Sequence, residues 1–437
     1  QAGIGGALLI LLFAEGITCL TSLSVAAVST NTRVEGGGAY FLISRVMGPE
    51  FGGAIGLALF GGQALSVPFY VLGFTEALVA TFPSFAPSYH GISLVTAAVL
   101  FGLTWFGARY AIKVQYVILA VLALAIASFL LGAARLFDVE TFRANFQAAY
   151  TERNDFWIVF AIYFPAVTGI MAGINMSGDL KSPARSIPRG TFYAVAVGTL
   201  VYAAQIVLAG GAFDRVDLIE RPFEVLEENA VLAGGALVVA GVFAATLSSA
   251  IGSLLGAPRV LQAVSRDRLF VPLEMFARGT RGTDEPRRAL VLTGVITFAV
   301  LLVAGGGGEH GRHYFNLIAS VVTMFFLFTY GMVNVAAFVE SSAGNPSFRP
   351  RFRYFHWGAA LAGAAGCLAV AFLIHWPSAL VAAARSDGTV SAEEAEMFEN
   401  LLRFDEVQVE DVMTPRTVTF MLPANATIDD LLSEKSA

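Results

Sequence analysis

Residues Phe156–Met176 read FWIVFAIYFPAVTGIMAGINM. The segment carries no charge over 21 residues, and about 20 residues of helix suffice to cross the apolar core of a bilayer. Yet Pro165 and Gly169 stand at its centre. Proline removes a backbone donor and crowds the preceding turn, and a glycine four residues later loosens the chain again. The pair predicts a helix that breaks inside the membrane. Irregular backbone is tolerated at that depth where it lines a cavity, and broken helices near the midplane mark binding sites in many membrane carriers. The amides of Gly169, Ile170 and Met171 would open the second half-helix. Free N–H groups and the helix dipole there attract an anion. An ordinary proline kink is the alternative reading of the same residues.

Outward from this segment, the chain is built of similar blocks. Gly5–Val28, Phe51–Phe82, Ile92–Gly107, Val114–Ala134, Phe192–Gly211, Val231–Ala257, Leu290–Gly305, Phe315–Val339 and Trp357–His375 are nearly free of charge. With Phe156–Met176 they make about ten spans. The 437 residues are 56% hydrophobic and 14% charged, with a mean hydropathy of +0.69. Soluble domains are about a quarter charged, and one soluble core cannot hide so many fully apolar segments. The expected class is an all-α polytopic membrane protein.

Charge is distributed unevenly between alternate loops. One set holds Arg33, Arg45, Arg109, Lys113, Lys181, Arg185, Arg189, the arginines from Arg259 to Arg288, and Arg349, Arg351 and Arg353. The other holds Arg135, Arg143, Arg153, Arg215, Arg221 and Arg312 among many acids, including Asp138, Asp214, Glu220 and Glu227. The positive-inside rule puts the first set in the cytoplasm, so the first span runs from outside to inside. Cys19 and Cys367 lie in separate apolar spans and form no disulfide framework or metal cluster. His310 and His313 read as part of a glycine-rich outer loop. No nucleophile–base pair, phosphate-binding loop or metal motif is present, which excludes a soluble enzyme. Gly36-Gly37-Gly38 has no strand before it and is no nucleotide fingerprint.

Within Gly241–Leu254, GVFAATLSSAIGSL, small residues suit close helix packing. Ser248, Ser249 and the carbonyl of Ala245 could alternatively supply the hard oxygen ligands an alkali cation needs. Tyr70, Tyr163 and Tyr330 place hydroxyls inside spans, and Glu15 and Glu76 are the acidic residues there. Glu15 is the more central and has no evident role.

The stretch NTRVEGGGAYFLISRVMGPEFGGAIGLALF with FYVLGFTEAL, AIYFPAVTGIMAGINMSGDLKSPARSIPRGT, and FAATLSSAIGSLLGAPRVLQAVSRD resemble the cation-chloride cotransporter family, of the sodium-potassium-chloride type, within the amino acid–polyamine–organocation superfamily. The resemblance runs over residues 1–384. It implies an inverted-repeat transporter fold of twelve spans with discontinuous first and sixth helices. By motif, the sequence begins at the end of the family's first helix and reaches part of the twelfth. The resemblance implies a potassium site at Tyr70, Pro165 and Thr168. It implies a chloride site at the amides of Gly169, Ile170 and Met171 with the hydroxyl of Tyr330. It implies a sodium site at Ala245, Ser248 and Ser249. The remaining ligands would come from the first helix. Glu15 departs from the family pattern, where a neutral residue is usual.

Residues 385–437 change character to acidic and polar. DGTVSAEEAEMFENLLRFDEVQVEDVMTPRTVTFMLPANATIDDLL resembles the segment entering the paired cystathionine-β-synthase-type (CBS) domains of magnesium and cobalt efflux proteins. It is expected to be a small soluble α/β fragment.

The expected function is secondary active symport of chloride with sodium and/or potassium. An amino acid or amine permease of the same fold and a non-transporting membrane regulator are the alternatives. No cofactor is expected besides the transported ions. The expected partners are the lipid bilayer and inorganic ions, a second copy in a homodimer, and an adenine nucleotide at a complete tail domain, with no nucleic acid. The expected location is the plasma (inner) membrane, as a multi-pass integral protein.

Overall fold

A computed structural model describes residues 1–31, 37–106, 108–150, 155–175, 180, 182–232, 235–281, 284–304, 308–343 and 348–384. The tail fragment expected over residues 385–437 lies outside them. The chain divides into two compact units, Gln1–Ile374 and His375–Ala437.

The described residues form fifteen α-helices and no strand. In chain order they are α1 (Gly3–Asn31), α2 (Gly38–Met47), α3 (Pro49–Thr81), α4 (Tyr89–Trp105), α5 (Ala108–Leu136), α6 (Val139–Phe146), α7 (Phe156–Tyr163), α8 (Ile170–Asn175), α9 (Pro183–Ala212), α10 (Arg215–Glu220), α11 (Pro222–Glu228), α12 (Ala236–Arg266), α13 (Arg287–Ala304), α14 (Gly308–Ser342) and α15 (Trp357–Ala384). Nine of the helical segments among the described residues are long and apolar enough to cross a membrane. The tenth apolar block is the broken one: α7, a 3-10 turn over Phe164–Val167, then α8. The stretch Trp376–Ala384 falls within α15. His310 and His313 lie inside α14 rather than in a loop, because that helix begins at Gly308. Gly308 and Gly311 weaken the helix by only about 1 kcal/mol each, which a helix of 35 residues absorbs.

Helix α3 runs through the interior, packed along α12 and α14, while α1 packs along α9 and α14. The reason is legible in the small residues. A Cβ added at Gly241 of α12 would overlap the Cβ of Ala125 on α5, and one at Gly256 would overlap the Gln63 side chain on α3. Helices in lipid gain little from apolar burial itself, so close backbone approach through small residues supplies the contact. The opposite face of α9 presents Tyr193, Val197 and Leu200 outward, 60–73% exposed. Residues at this helical spacing make one stripe. Such a stripe is a liability in water and the natural surface in lipid.

Polar side chains join the helices at chosen points. Asn334 on α14 accepts from Ser24 Oγ at 2.6 Å and donates to Thr21 Oγ1 and the Tyr330 carbonyl, both at 2.9 Å. All of these residues are buried, and they tie α14 to α1. At one end of α2, Gly37 and Gly38 take φ of 109° and 58°, values that favour glycine. A Cβ on Gly38 would collide with Asn175 at the end of α8. Tyr40 then donates to Asp267, which Arg45 also approaches at 3.7 Å, linking α2 to the end of α12. At a loop end, the Thr141 N–H donates to Asp138 at 2.8 Å, caps α6 and holds that carboxyl below the usual carboxylate range.

Two outcomes test this packing. Gly241→Leu should destabilise the protein by about 1–3 kcal/mol through overpacking against α5, whereas Gly102→Ala, inside α4 with nothing within 4 Å of the added carbon, should raise the thermal midpoint in detergent slightly. Asn334→Ala removes three buried bonds and should cost about 2–3 kcal/mol, read as a lower midpoint in the same assay.

Candidate ion site at the helix break

Why the chain breaks here follows from Pro165. It has no N–H to donate, and its ring excludes the regular turn before it. Helix α7 is capped at its start by Asp155, whose side chain accepts from Ile158 N at 2.8 Å, and ends at Tyr163. Phe164–Val167 then tightens into a 3-10 turn, and regular helix resumes at Ile170. The segment is discontinuous, not merely kinked.

The polar backbone freed by this break is taken up locally and by two neighbouring helices. Thr168 Oγ1 donates to the Pro165 carbonyl at 2.8 Å, and Thr168 N approaches the same oxygen at 3.4 Å. The Thr168 carbonyl accepts from the Tyr330 hydroxyl of α14 at 2.8 Å. Thr323, two turns earlier on α14, donates to the Ala161 carbonyl at 2.6 Å. The Tyr202 hydroxyl of α9 donates to the Ala166 carbonyl at 3.0 Å. Tyr330 and Thr323 are fully buried, and Thr168 is 4% exposed. Phe164 packs against the Tyr330 ring with centroids 6.1 Å apart. Gly169 stands in open space, with nothing within 4 Å of where a Cβ would be, just ahead of the first turn of α8.

The geometry therefore brings Pro165, Thr168, Gly169, Ile170, Met171 and Tyr330 together at one locus. Tyr70, half-buried on α3, lies within electrostatic range of Tyr202 and Tyr330. The Tyr330 hydroxyl engages the carbonyl of the same peptide group that carries the Gly169 N–H, so an anion on the α8 amides would compete with Thr168 for that proton. Ala245, Ser248 and Ser249 form bonds elsewhere. Ser249 Oγ donates to the Ala245 carbonyl of its own helix at 3.0 Å. Ser248 Oγ donates to Gln115 Oε1 on α5 at 2.6 Å, and Gln115 Nε2 donates back to the Ser248 carbonyl at 3.2 Å. Helix α12 is regular through these residues.

Three participants were not foreseen from sequence. Tyr202, Thr323 and Gln115 are polar residues within apolar spans. Each could have been flagged by the cost of an unpaired polar group in lipid, but their partners are set by helix packing.

The comparisons with known proteins agree with this architecture. The amino acid permease family model matches residues 1–386. Solute carrier family 12 member 2 of Homo sapiens is 35% identical, over 87% of this chain and 35% of the relative. The member 2 protein of Squalus acanthias is 37% identical, over 87% and 36%. Solute carrier family 12 member 1 of Mus musculus is 36% identical, over 87% and 39%. The chain thus spans little more than a third of the length of the relatives it matches. With nine membrane-length apolar helices and a tenth broken at a proline, this chain is a multi-pass membrane protein that belongs to the amino acid permease family.

Proposed function

We propose that this chain is the transport core of a secondary active symporter that moves chloride together with sodium and/or potassium. The observation that carries the reading is the break itself. Tyr330 and Tyr202 hold the Thr168 and Ala166 carbonyls, and next to them Gly169, with nothing within 4 Å of where its Cβ would be, leads into the N–H groups that open α8. Neutral ligands of both kinds suit a monovalent cation beside a monovalent anion. The similarity to members of solute carrier family 12 supports the same reading. The permease match keeps an amino acid or amine substrate as the second reading, and a carrier of that kind would work without chloride.

In the proposed assignment, the amides of Gly169, Ile170 and Met171 with Tyr330 hold chloride. Tyr70, Pro165 and Thr168 hold potassium, and Ala245, Ser248 and Ser249 hold sodium. Sodium would take the hydroxyl oxygens of Ser248 and Ser249 through lone pairs left free while their protons go to Gln115 and the Ala245 carbonyl. The basic loops are placed in the cytoplasm of a plasma-membrane protein. Residues 1–384 are proposed as the transporter domain and 385–437 as the start of a CBS-type domain that takes an adenine nucleotide when complete, with the whole assembled as a homodimer.

Uptake into proteoliposomes, with the protein at its full natural length, tests the assignment. Tyr330→Phe should raise the chloride concentration for half-maximal rubidium uptake about tenfold, the loss of one hydrogen bond to an ion. An unchanged chloride dependence overturns the chloride site, and uptake indifferent to chloride in the unaltered protein favours the permease reading. Tyr70→Phe and Thr168→Ala should each raise half-saturating rubidium by a similar factor. The double change Ser248→Ala with Ser249→Ala should abolish sodium dependence while leaving membrane expression intact. If uptake never depended on sodium, the sodium site is wrong and only potassium and chloride are coupled.

A further inference from the structure

Glu15 is a carboxylate in the middle of α1, 8% exposed, and the sites assigned above make no use of it. Four hydroxyl groups lie in its neighbourhood. Thr199 Oγ1 of α9, whose proton goes to the Val195 carbonyl at 2.8 Å, presents its oxygen near the Glu15 carboxyl. The phenol groups of Tyr163, Tyr202 and Tyr330 all lie within its electrostatic range. Tyr163 ends α7 two residues before Pro165, and its buried hydroxyl has no hydrogen-bond partner among the described residues. The Tyr163 ring packs edge-on against Tyr202, centroids 5.9 Å apart. Phe13, half a turn before Glu15, packs against Phe156 at 6.3 Å, so this level of α1 abuts α7.

Among the described residues no arginine or lysine pairs with Glu15. Arg185 and Arg189 lie in the first two turns of α9, ten or more residues before Thr199. On α2, Tyr40 and Arg45 engage Asp267, and on α6, Glu140 and Arg143 are exposed. Cys19 on the same helix is the remaining titratable neighbour, and Cys367 lies beyond Tyr330. An uncompensated buried carboxylate costs several kcal/mol. It must therefore hold a proton or a cation, and in lipid such a residue faces a pathway or a partner.

We propose that Glu15, with the hydroxyls of Thr199, Tyr163 and Tyr202, forms an acidic cation site beside the helix break, at which a proton and a transported alkali cation exclude one another. The site rests on the symport reading and deepens it: cation uptake there displaces a proton, so transport responds to pH. A bound alkali ion draws Tyr163, which lacks a partner, onto the ion through its oxygen. A bound proton neutralises the carboxyl instead and leaves the ion no fixed counter-charge.

Infrared difference spectroscopy on the purified protein tests the site without requiring transport. At acidic pH, adding sodium or rubidium chloride should remove a protonated-carboxyl C=O band, and choline chloride should not. The band should be absent in Glu15→Gln and displaced in frequency in Glu15→Asp, which keeps the charge if the glutamine variant fails to fold. In proteoliposomes, half-saturating rubidium or sodium should rise about tenfold on acidification. Glu15→Gln should hold it at the acid value at every pH. Chloride-coupled uptake whose pH profile is identical in Glu15→Gln, or a carboxyl band insensitive to alkali cations, overturns the inference and leaves the symport reading standing. Cation-sensitive Glu15 in a protein without chloride-coupled uptake does the reverse.

Discussion

A bilayer offers no water to unpaired peptide groups, and the structure around Pro165 is organised by that constraint. Pro68 and Pro258 are absorbed within the continuous helices α3 and α12, but at Pro165, with Gly169 one turn on, the helix is interrupted. The peptide groups released there are then satisfied by Thr168 locally and by hydroxyls from α9 and α14 across the break. Because those hydroxyls must reach specific carbonyls, α9 and α14 are fixed against the broken segment in position and rotation. The polar locus and the helix packing are one arrangement, not two.

The rest of the bundle supports that arrangement. Helix α14 carries Thr323 and Tyr330, two turns apart, to the break, and Asn334 one turn further ties it to Thr21 and Ser24 of α1. Helix α1 is thereby held with Glu15 beside α7 and α9. Helix α3 brings Tyr70 close to Tyr330 and lies against α12 where Gly256 accommodates Gln63. Small residues permit the approach, and hydroxyls and amides set the register. Apolar side chains fill the interior and equally coat the outside, so hydrophobicity alone does not distinguish the two faces.

The chemistry available at such a site is recognition without bond making. Backbone carbonyls and hydroxyls replace part of a cation's hydration, and N–H groups at a helix start do the same for an anion, each without a fixed charge that would hold the ion too tightly to release. A carboxylate in the same neighbourhood is a different kind of group, because its charge state depends on what occupies it.

Much of this was written in the sequence, for a physical reason. Crossing lipid demands uninterrupted apolar length, so each span announces itself in composition, and a proline followed by glycine inside one of them announces the break. Tyr330 and Tyr70 stood out because a hydroxyl deep in a span needs a partner. What composition could not supply was the partner. That Tyr330 donates to the Thr168 carbonyl, that Tyr202 reaches Ala166, that Ser248 pairs with Gln115 rather than with its own turn, and that Glu15 lies among tyrosines are facts of how helices far apart in sequence rotate against one another. Rotation about a helix axis leaves hydropathy unchanged, since lipid and protein interior are equally apolar. Only the packed tertiary structure decides which face of each span meets the break.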